Sequence, residues 1–240
     1  MRHFIVSPLA VSGDSVTITG QDAHHIHHVL RLKKGDEITV AAGEPGRLLC
    51  EVAHISKESV TATIIARLAE LEPAGPKIIL AQGLPKGKKM DDIVRMACEL
   101  GVAEIIPVVT QRCVAKIGDN ADSKVERWNA VSIAAAKQSQ ASHVTAVAGA
   151  MQIGALPSPS GSNISIVLWE EESRPLKEIL QTAPKPDSIT IVIGPEGGLA
   201  KDEVESLKSR GFSCASIGNK ILRTETAGVA AASMILYHYS

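Results

Sequence analysis

The apolar positions of this chain follow two regimes. Through residues 1–70 they alternate with polar positions in short segments, at 3–6, 15–19, 37–41, 48–55 and 59–66, with turn residues between them. Period-two runs this short and closely spaced predict the strands of a small β-barrel. One segment breaks the pattern: residues 22–32 read as a helical insert that carries His24, His25, His27, His28 and Arg31 and runs into Lys33-Lys34. At 73–76, Pro-Ala-Gly-Pro reads as a linker, which divides the chain into domains at 1–72 and 77–240.

Beyond the linker, strand and helix alternate. A buried strand at 78–82 leads into the basic loop 84–89. An amphipathic helix follows at 90–100, opened by Asp91-Asp92, carrying Ile93, Met96, Ala97 and Leu100 on one face and ending at Gly101. Then come a strand at 104–109, a long helix at 122–141, a buried strand at 164–169 and a short helix at 174–181. The last elements are a strand at 189–193, a helix at 201–210, a strand at 212–217 and a helix at 225–239 rich in small residues. This alternation predicts an α/β domain, a parallel sheet with helices on both faces.

Two of these strands end in glycine bends, Gly194-Pro195-Glu196-Gly197-Gly198 and Gly218-Asn219-Lys220. Neighbouring strands would deliver both bends to one sheet edge, and parallel α/β sheets bind ligands outside the carboxyl ends of their strands. Neither bend is a G-x-x-x-x-G-K-[ST] or G-x-G-x-x-G phosphate cradle. With Ile193, Leu199, Ile217, Ile221 and Leu222 around them, they suit a flat heterocycle held through main-chain groups. Ordinary strand-to-helix turns, with glycines for steric reasons, are the other reading of the spacing.

Composition narrows the classes. At 240 residues and 45% hydrophobic the chain can bury a full core, built from Ala, Val, Ile and Leu because aromatics are only 2%. Cys50, Cys98, Cys113 and Cys214 form no C-x-x-C pair, so neither a zinc site nor a disulfide framework is expected. His24 and His28, four apart, could share a helix face toward a metal, but no carboxylate or cysteine is spaced to complete a site. No apolar run approaches a membrane span, and the amino end turns polar too soon for a signal peptide. A cytoplasmic protein without metal or membrane partner is expected. A formal net charge of −1 speaks against a generic polyanion binder and leaves RNA recognition to local clusters and splayed bases.

The stretches IGPEGG and SIGNKILRTETA, with LPKGKKMDDIV, ELGVAEIIPV, QRC and RW upstream and HHIHHVLRLKKGD near the amino end, resemble the ribosomal RNA small-subunit methyltransferase E family. That family belongs to the SPOUT superfamily, and its members methylate N3 of a uridine in 16S ribosomal RNA. The resemblance covers most of the chain. It implies a PUA-like RNA-binding β-barrel at 1–72 and a SPOUT methyltransferase domain at 77–240, whose last helix is threaded into a trefoil knot. It also implies S-adenosylmethionine as cofactor, 16S ribosomal RNA or the small ribosomal subunit as substrate, and a homodimer. Cofactor contacts are implied at Leu168, Trp169, Gly194, Gly198, Ile217, Gly218, Leu222 and Ala227, and RNA contacts at Arg2, Arg31 and Lys33. The chain departs from the family pattern at Lys137, where an acidic residue is usual, at Ala141 for arginine, at Met96 for lysine and at Ala200 for serine or threonine.

Uridine N3 is a poor nucleophile until it loses its proton, so the chemistry needs a proton acceptor and a positive donor for charge spreading to O2 and O4. Arg223 is the candidate donor, since a guanidinium stays charged. Glu225 and Glu196 are the nearest carboxylates; either could be the base, orient Arg223 or accept from backbone N–H groups. Thr224 or Thr226 could cap the last helix. Lys86 and Arg112, on loops expected at the same edge, are candidates for RNA phosphate contacts or plain surface charges. The histidine-bearing face of 22–32 is a solvated surface or a contact for the RNA backbone. A noncatalytic RNA-binding or assembly factor on the same fold, and an enzyme for another RNA base, are the competing functions.

Overall fold

A computed structural model describes residues 2–43, 46–68, 75–114, 121–172, 174–182 and 184–240. Residues 73 and 74 of the expected linker fall outside them. The chain forms two compact units, Met1–Glu72 with Ala136–Val144, and Pro73–Ala135 with Thr145–Ser240.

The first unit holds β1 (His3–Ile5), β2 (Val11–Ser12), β3 (Ser15–Thr19), α1 (Gly20–His24), β4 (Glu37–Ala41), β5 (Arg47–Ile55) and β6 (Ser59–Leu68). They make one sheet in the order β1-β4-β5-β6-β3-β2, parallel only between β1 and β4. Alternation places Val16, Ile18, Ile38, Val40, Cys50, Val52, Val60 and Ala62 in one core with Ala23 and Ile26. After α1 the helix widens into a π-turn at His25–Val29, so the predicted insert starts two residues earlier and ends sooner. Arg31 then takes a left-handed φ of 51°. Lys137 closes an ion pair with Asp22 of α1 at 2.8 Å, and His3 Nε2 lies 3.0 Å from the Ala141 carbonyl. Of the positions that depart from the family pattern, Lys137 thus ties the unit's own chain through its side chain, whereas Ala141 does so only through its main chain. Burial lowers the His3 pKa, with Arg47 adding to it and the Ala141 carbonyl opposing.

The second unit carries β7 (Lys77–Gly83), α2 (Lys89–Glu99), β8 (Glu104–Val109), α3 (Ala121–Ser139, whose tail belongs to the first unit), β9 (Ala146–Val147), β10 (Met151–Gln152), β11 (Ile164–Leu168), α4 (Leu176–Thr182), β12 (Ser188–Ile193), α5 (Lys201–Ser209), β13 (Ser213–Ala215) and α6 (Thr224–Tyr239). Its sheet runs β10-β8-β7-β12-β11-β13, with β9 beside β8, and every pair is parallel. Strand side chains alternate between two cores. Ile78, Leu80, Ile189, Ile191 and Ile193 meet α2, α4 and α6 residues on one face, while Ala81, Val167 and Val192 meet Leu199, Val204 and Leu207 on the other. The fold is α/β with a parallel sheet.

Two expectations need correction. The strand expected at 212–217 is only Ser213–Ala215, because the Phe212 N–H still bonds the Leu207 carbonyl at the end of α5 and Ser216 has turned to bridge Pro175. The strands that carry the two glycine bends are not neighbours either: β11 lies between β12 and β13.

Candidate functional site

All strands of the second unit point the same way, so their carboxyl ends share one edge. There the ends of β11, β12 and β13 and the start of α6 enclose a cavity of about 700 Å³, within the range of small-ligand sites. Leu168 and Trp169, at the end of β11, separate the two bends. The lining brings together Leu168, Trp169, Gly194, Gly198, Ile217, Gly218, Leu222 and Ala227, with Arg223 at the rim. Glu225 is not part of this lining. Lys86 and Arg112 are exposed beside it, the Lys86 N–H donating to Glu196 and Arg112 Nη1 to the Gly197 carbonyl. Arg2, Arg31 and Lys33 are exposed in the first unit.

The first bend is closed by its own backbone. A Cβ on Gly194 would lie 2.8 Å from the carbonyl carbon of Gly198, and one on Gly83 would lie 2.6 Å from Pro195 N. The Gly198 N–H returns to the Pro195 carbonyl. Helix α5 then starts at Ala200 without a side-chain cap; Glu203 compensates, accepting from the Ala200 N–H at 2.9 Å and the Gln111 N–H at 2.8 Å.

The second bend is open. Gly218 has φ +137° with nothing within 4 Å of where a Cβ would stand, and Ile221 is 88% exposed. Among the described residues, the N–H groups of Ile217 and of Asn219, Lys220, Ile221 and Leu222 donate to no protein acceptor. Apolar walls and free peptide donors suit the adenine and ribose of S-adenosylmethionine, while the carboxylates of Glu170, Glu172 and Glu196 in the same lining oppose a phosphate.

Three charged side chains meet at one side. Lys89 Nζ lies 2.9 Å from Glu196 Oε1 and 3.3 Å from Glu225 Oε2. Glu196 also accepts from the Lys86 N–H. Burial would raise the Glu196 pKa, but Lys89 and the Lys86 N–H outweigh it and hold the carboxyl below its ordinary value. Lys89 is pushed up, first by Glu196 and then by Glu225, against its own desolvation. The buried Glu225 Oε2 has no partner in hydrogen-bond geometry, only this ion-pair contact. The Arg223 carbonyl accepts from the Thr226 and Ala227 N–H groups, but its side chain makes neither hydrogen bond nor ion pair among the described residues, so neither glutamate orients it.

Lys89 is the site residue that the sequence reading passed over as part of a basic loop. A signal was there: a lysine at the first position of a helix faces the positive end of the helix dipole and calls for a carboxylate. Thr224 does not cap α6 either. Arg223 is the N-cap residue, without a side-chain cap bond, and Thr224 Oγ1 instead donates to the Gly194 carbonyl and accepts from Gln82 Nε2. Among the described residues no three His, Cys, Asp or Glu side chains are arranged to hold a metal, and no helix is long and apolar enough to cross a membrane.

Residues 72–236 match the family described as RNA methyltransferase domain, and residues 18–65 the RNA methyltransferase PUA domain. The ribosomal RNA small subunit methyltransferase E of Bacillus subtilis is 35% identical, over 92% of this chain and 89% of its own length. The protein of the same name in Synechocystis is 30% identical, over 97% of this chain and 76% of its own. A crystal structure of the Neisseria gonorrhoeae protein of that name, bound to S-adenosylmethionine, superposes with a TM-score of 0.84 at 26% identity, covering 99% of this chain and 97% of that one. The chain belongs to the ribosomal RNA small subunit methyltransferase E family of RNA methyltransferases.

Proposed function

We propose that this protein transfers a methyl group from S-adenosylmethionine to N3 of a uridine in 16S ribosomal RNA. The observation that carries the reading is the open Ile217–Leu222 bend, whose unpaired N–H groups line a cavity of about 700 Å³ at the carboxyl edge of a parallel sheet. Bound there, S-adenosylmethionine supplies an electrophilic methyl on a sulfonium. The chain's part is to hold the acceptor in line and to manage one proton.

Leu168, Trp169, Gly194, Gly198, Ile217, Gly218, Leu222 and Ala227 form the cofactor contacts. The Arg223 guanidinium, without a hydrogen-bond or ion-pair partner among the described residues, donates to the uracil oxygens as N3 becomes anionic. Glu225 is the proton acceptor, its carboxylate held only by Lys89, whereas Glu196 has several donors and serves to brace the first bend. Lys86 and Arg112 beside the cavity, and Arg2, Arg31 and Lys33 in the first unit, take RNA phosphates.

The first unit is a PUA-like barrel for RNA, and α6 completes a trefoil knot. In support of the knot, the chain leaves β13 at the sheet's edge and returns past β11, so that α6 packs on β12, β7 and α2 in the middle. The protein acts as a cytoplasmic homodimer. Its exposed α6 side chains Met234 and Tyr237 offer an apolar face to a second copy.

Primer extension on ribosomal RNA from cells with and without the gene tests the reading. A methyl on N3 blocks the Watson–Crick edge and should stop reverse transcriptase at one uridine of the small-subunit RNA only when the gene is present. Identical profiles would exclude that target, and calorimetry showing no S-adenosylmethionine binding would favour a noncatalytic assembly factor.

A further inference from the structure

The start of α6 carries both Arg223 and Glu225, yet Arg223 at the N-cap position gives no side-chain cap bond and Glu225 is tied only to Lys89 by an ion pair. Thr224 sits between the two and is 5% exposed. Its hydroxyl donates to the Gly194 carbonyl at 2.7 Å and accepts from Gln82 Nε2 at 2.8 Å. Gln82 is fully buried at the end of β7, and its second amide hydrogen goes to the Gly83 carbonyl at 2.9 Å. Gln82 and Gly194 thus belong to the ends of β7 and β12, which pair directly in the sheet's middle. Both partners of the hydroxyl therefore sit on central strands of the sheet.

We infer that Gln82 and Thr224 form a positioning relay that sets where Arg223, at the cavity rim, and Glu225, beside Lys89, stand; Thr224 lines the cavity, but its hydroxyl is committed to Gly194 and Gln82 and does not hold the cofactor. The inference rests on the methyltransferase reading above. It separates two duties by what else holds each part. The Gly194 bend keeps its shape without the relay, because Gly83, Gly194, Pro195 and Gly198 are in backbone contact. The body of α6 also stays in place, since Ala231, Ala232 and Ile235 are fully buried and a Cβ on Gly228 would come within 3.0 Å of Leu80. Apart from the Lys89–Glu225 ion pair, the relay is what ties the first turn of α6, where the two reacting side chains begin, to the sheet. A hydroxyl that accepts and donates at once, between two fixed groups, allows that turn one position. An angstrom of drift there is enough to cost about a hundredfold in transfer.

The test compares Thr224→Val, which keeps the shape and loses the hydroxyl, with Thr224→Ser, which restores it. Calorimetry with S-adenosylmethionine and single-turnover methylation of unmodified small-subunit particles are run on the same preparations. Expected for Thr224→Val is a fall in transfer of roughly ten- to a hundredfold with the cofactor Kd within about threefold of wild type, and for Thr224→Ser recovery to within about threefold in transfer. Gln82→Met, which leaves the Gly194 bond, should fall less than Thr224→Val. Unchanged transfer in Thr224→Val, a Kd that weakens in step with transfer, or a serine variant no better than valine would overturn the relay. If Thr224→Val does not fold, Gln82→Met decides alone, and wild-type transfer in it refutes the inference. Failure of the wild-type protein to methylate would instead refute the function on which the inference rests.

Discussion

The two glycine bends at the sheet edge look alike in sequence and differ in what holds them. In Gly194–Gly198 the protein's own atoms demand the glycines: a Cβ on Gly194 would stand 2.8 Å from the Gly198 backbone, one on Gly198 would meet the Glu170 carboxylate, and one on Gly197 the Arg112 side chain. Around Gly218 nothing stands within 4 Å, and the neighbouring N–H groups have no acceptor. One bend is finished by folding; the other lacks its hydrogen-bond partners. The exposed donors of the open bend face solvent, so a ligand seated there exchanges water for several peptide N–H bonds at once, which the closed bend does not offer.

Variants can break this contrast. The largest effect should come from Arg223→Ala at the open bend, with methyl transfer lower by about two to three powers of ten while cofactor affinity changes little; a parallel loss of both, by calorimetry and single-turnover assay, would mean the guanidinium holds the cofactor. At the closed bend, Gly83→Ala should destabilise the fold by about 3 kcal/mol, since the added methyl meets the Pro195 nitrogen rather than a flexible side chain. Denaturant unfolding would measure it. Gly218→Ala meets no atom and suffers only its positive φ, a loss of about 1 kcal/mol, and it should weaken S-adenosylmethionine binding more than Gly83→Ala weakens it per unit of stability lost. Equal stability losses at the two glycines would erase the distinction.

The smallest effect concerns acid. The Glu196 carboxyl has a folded pKa below its ordinary value, so its contribution is complete above the unfolded value and disappears as pH falls through the folded one. Hydrogen exchange in the closed bend should quicken in that acid window in the wild type and not in Glu196→Gln. The change will be small, because the carboxylate and Lys89 are both partly exposed.

Much of this was legible beforehand, and the failures have physical causes. Strands such as Ser188–Ile193 and Lys77–Gly83 announce themselves through unbroken β-branched and apolar runs, buried on both faces. The two-residue strands Ala146–Val147 and Met151–Gln152 are too short to show any period. The intrusion of β11 between the bends is a matter of strand order, which local pattern does not encode. Thr224 reads as a helix cap because threonine before a helix usually is one. Its real partners, Gln82 and Gly194, are 142 and 30 residues away in the chain. Lys89 hid in a run of basic residues, and only the approach of Glu196 and Glu225 from two other elements gives it a role.

Amide hydrogen exchange with and without S-adenosylmethionine tests the contrast most directly. Protection should rise sharply at Asn219, Lys220, Ile221 and Leu222, whose donors are unpaired, and hardly change at Gly198, already bonded to Pro195. Equal protection of both bends, or none at the 217–222 bend, would contradict the account.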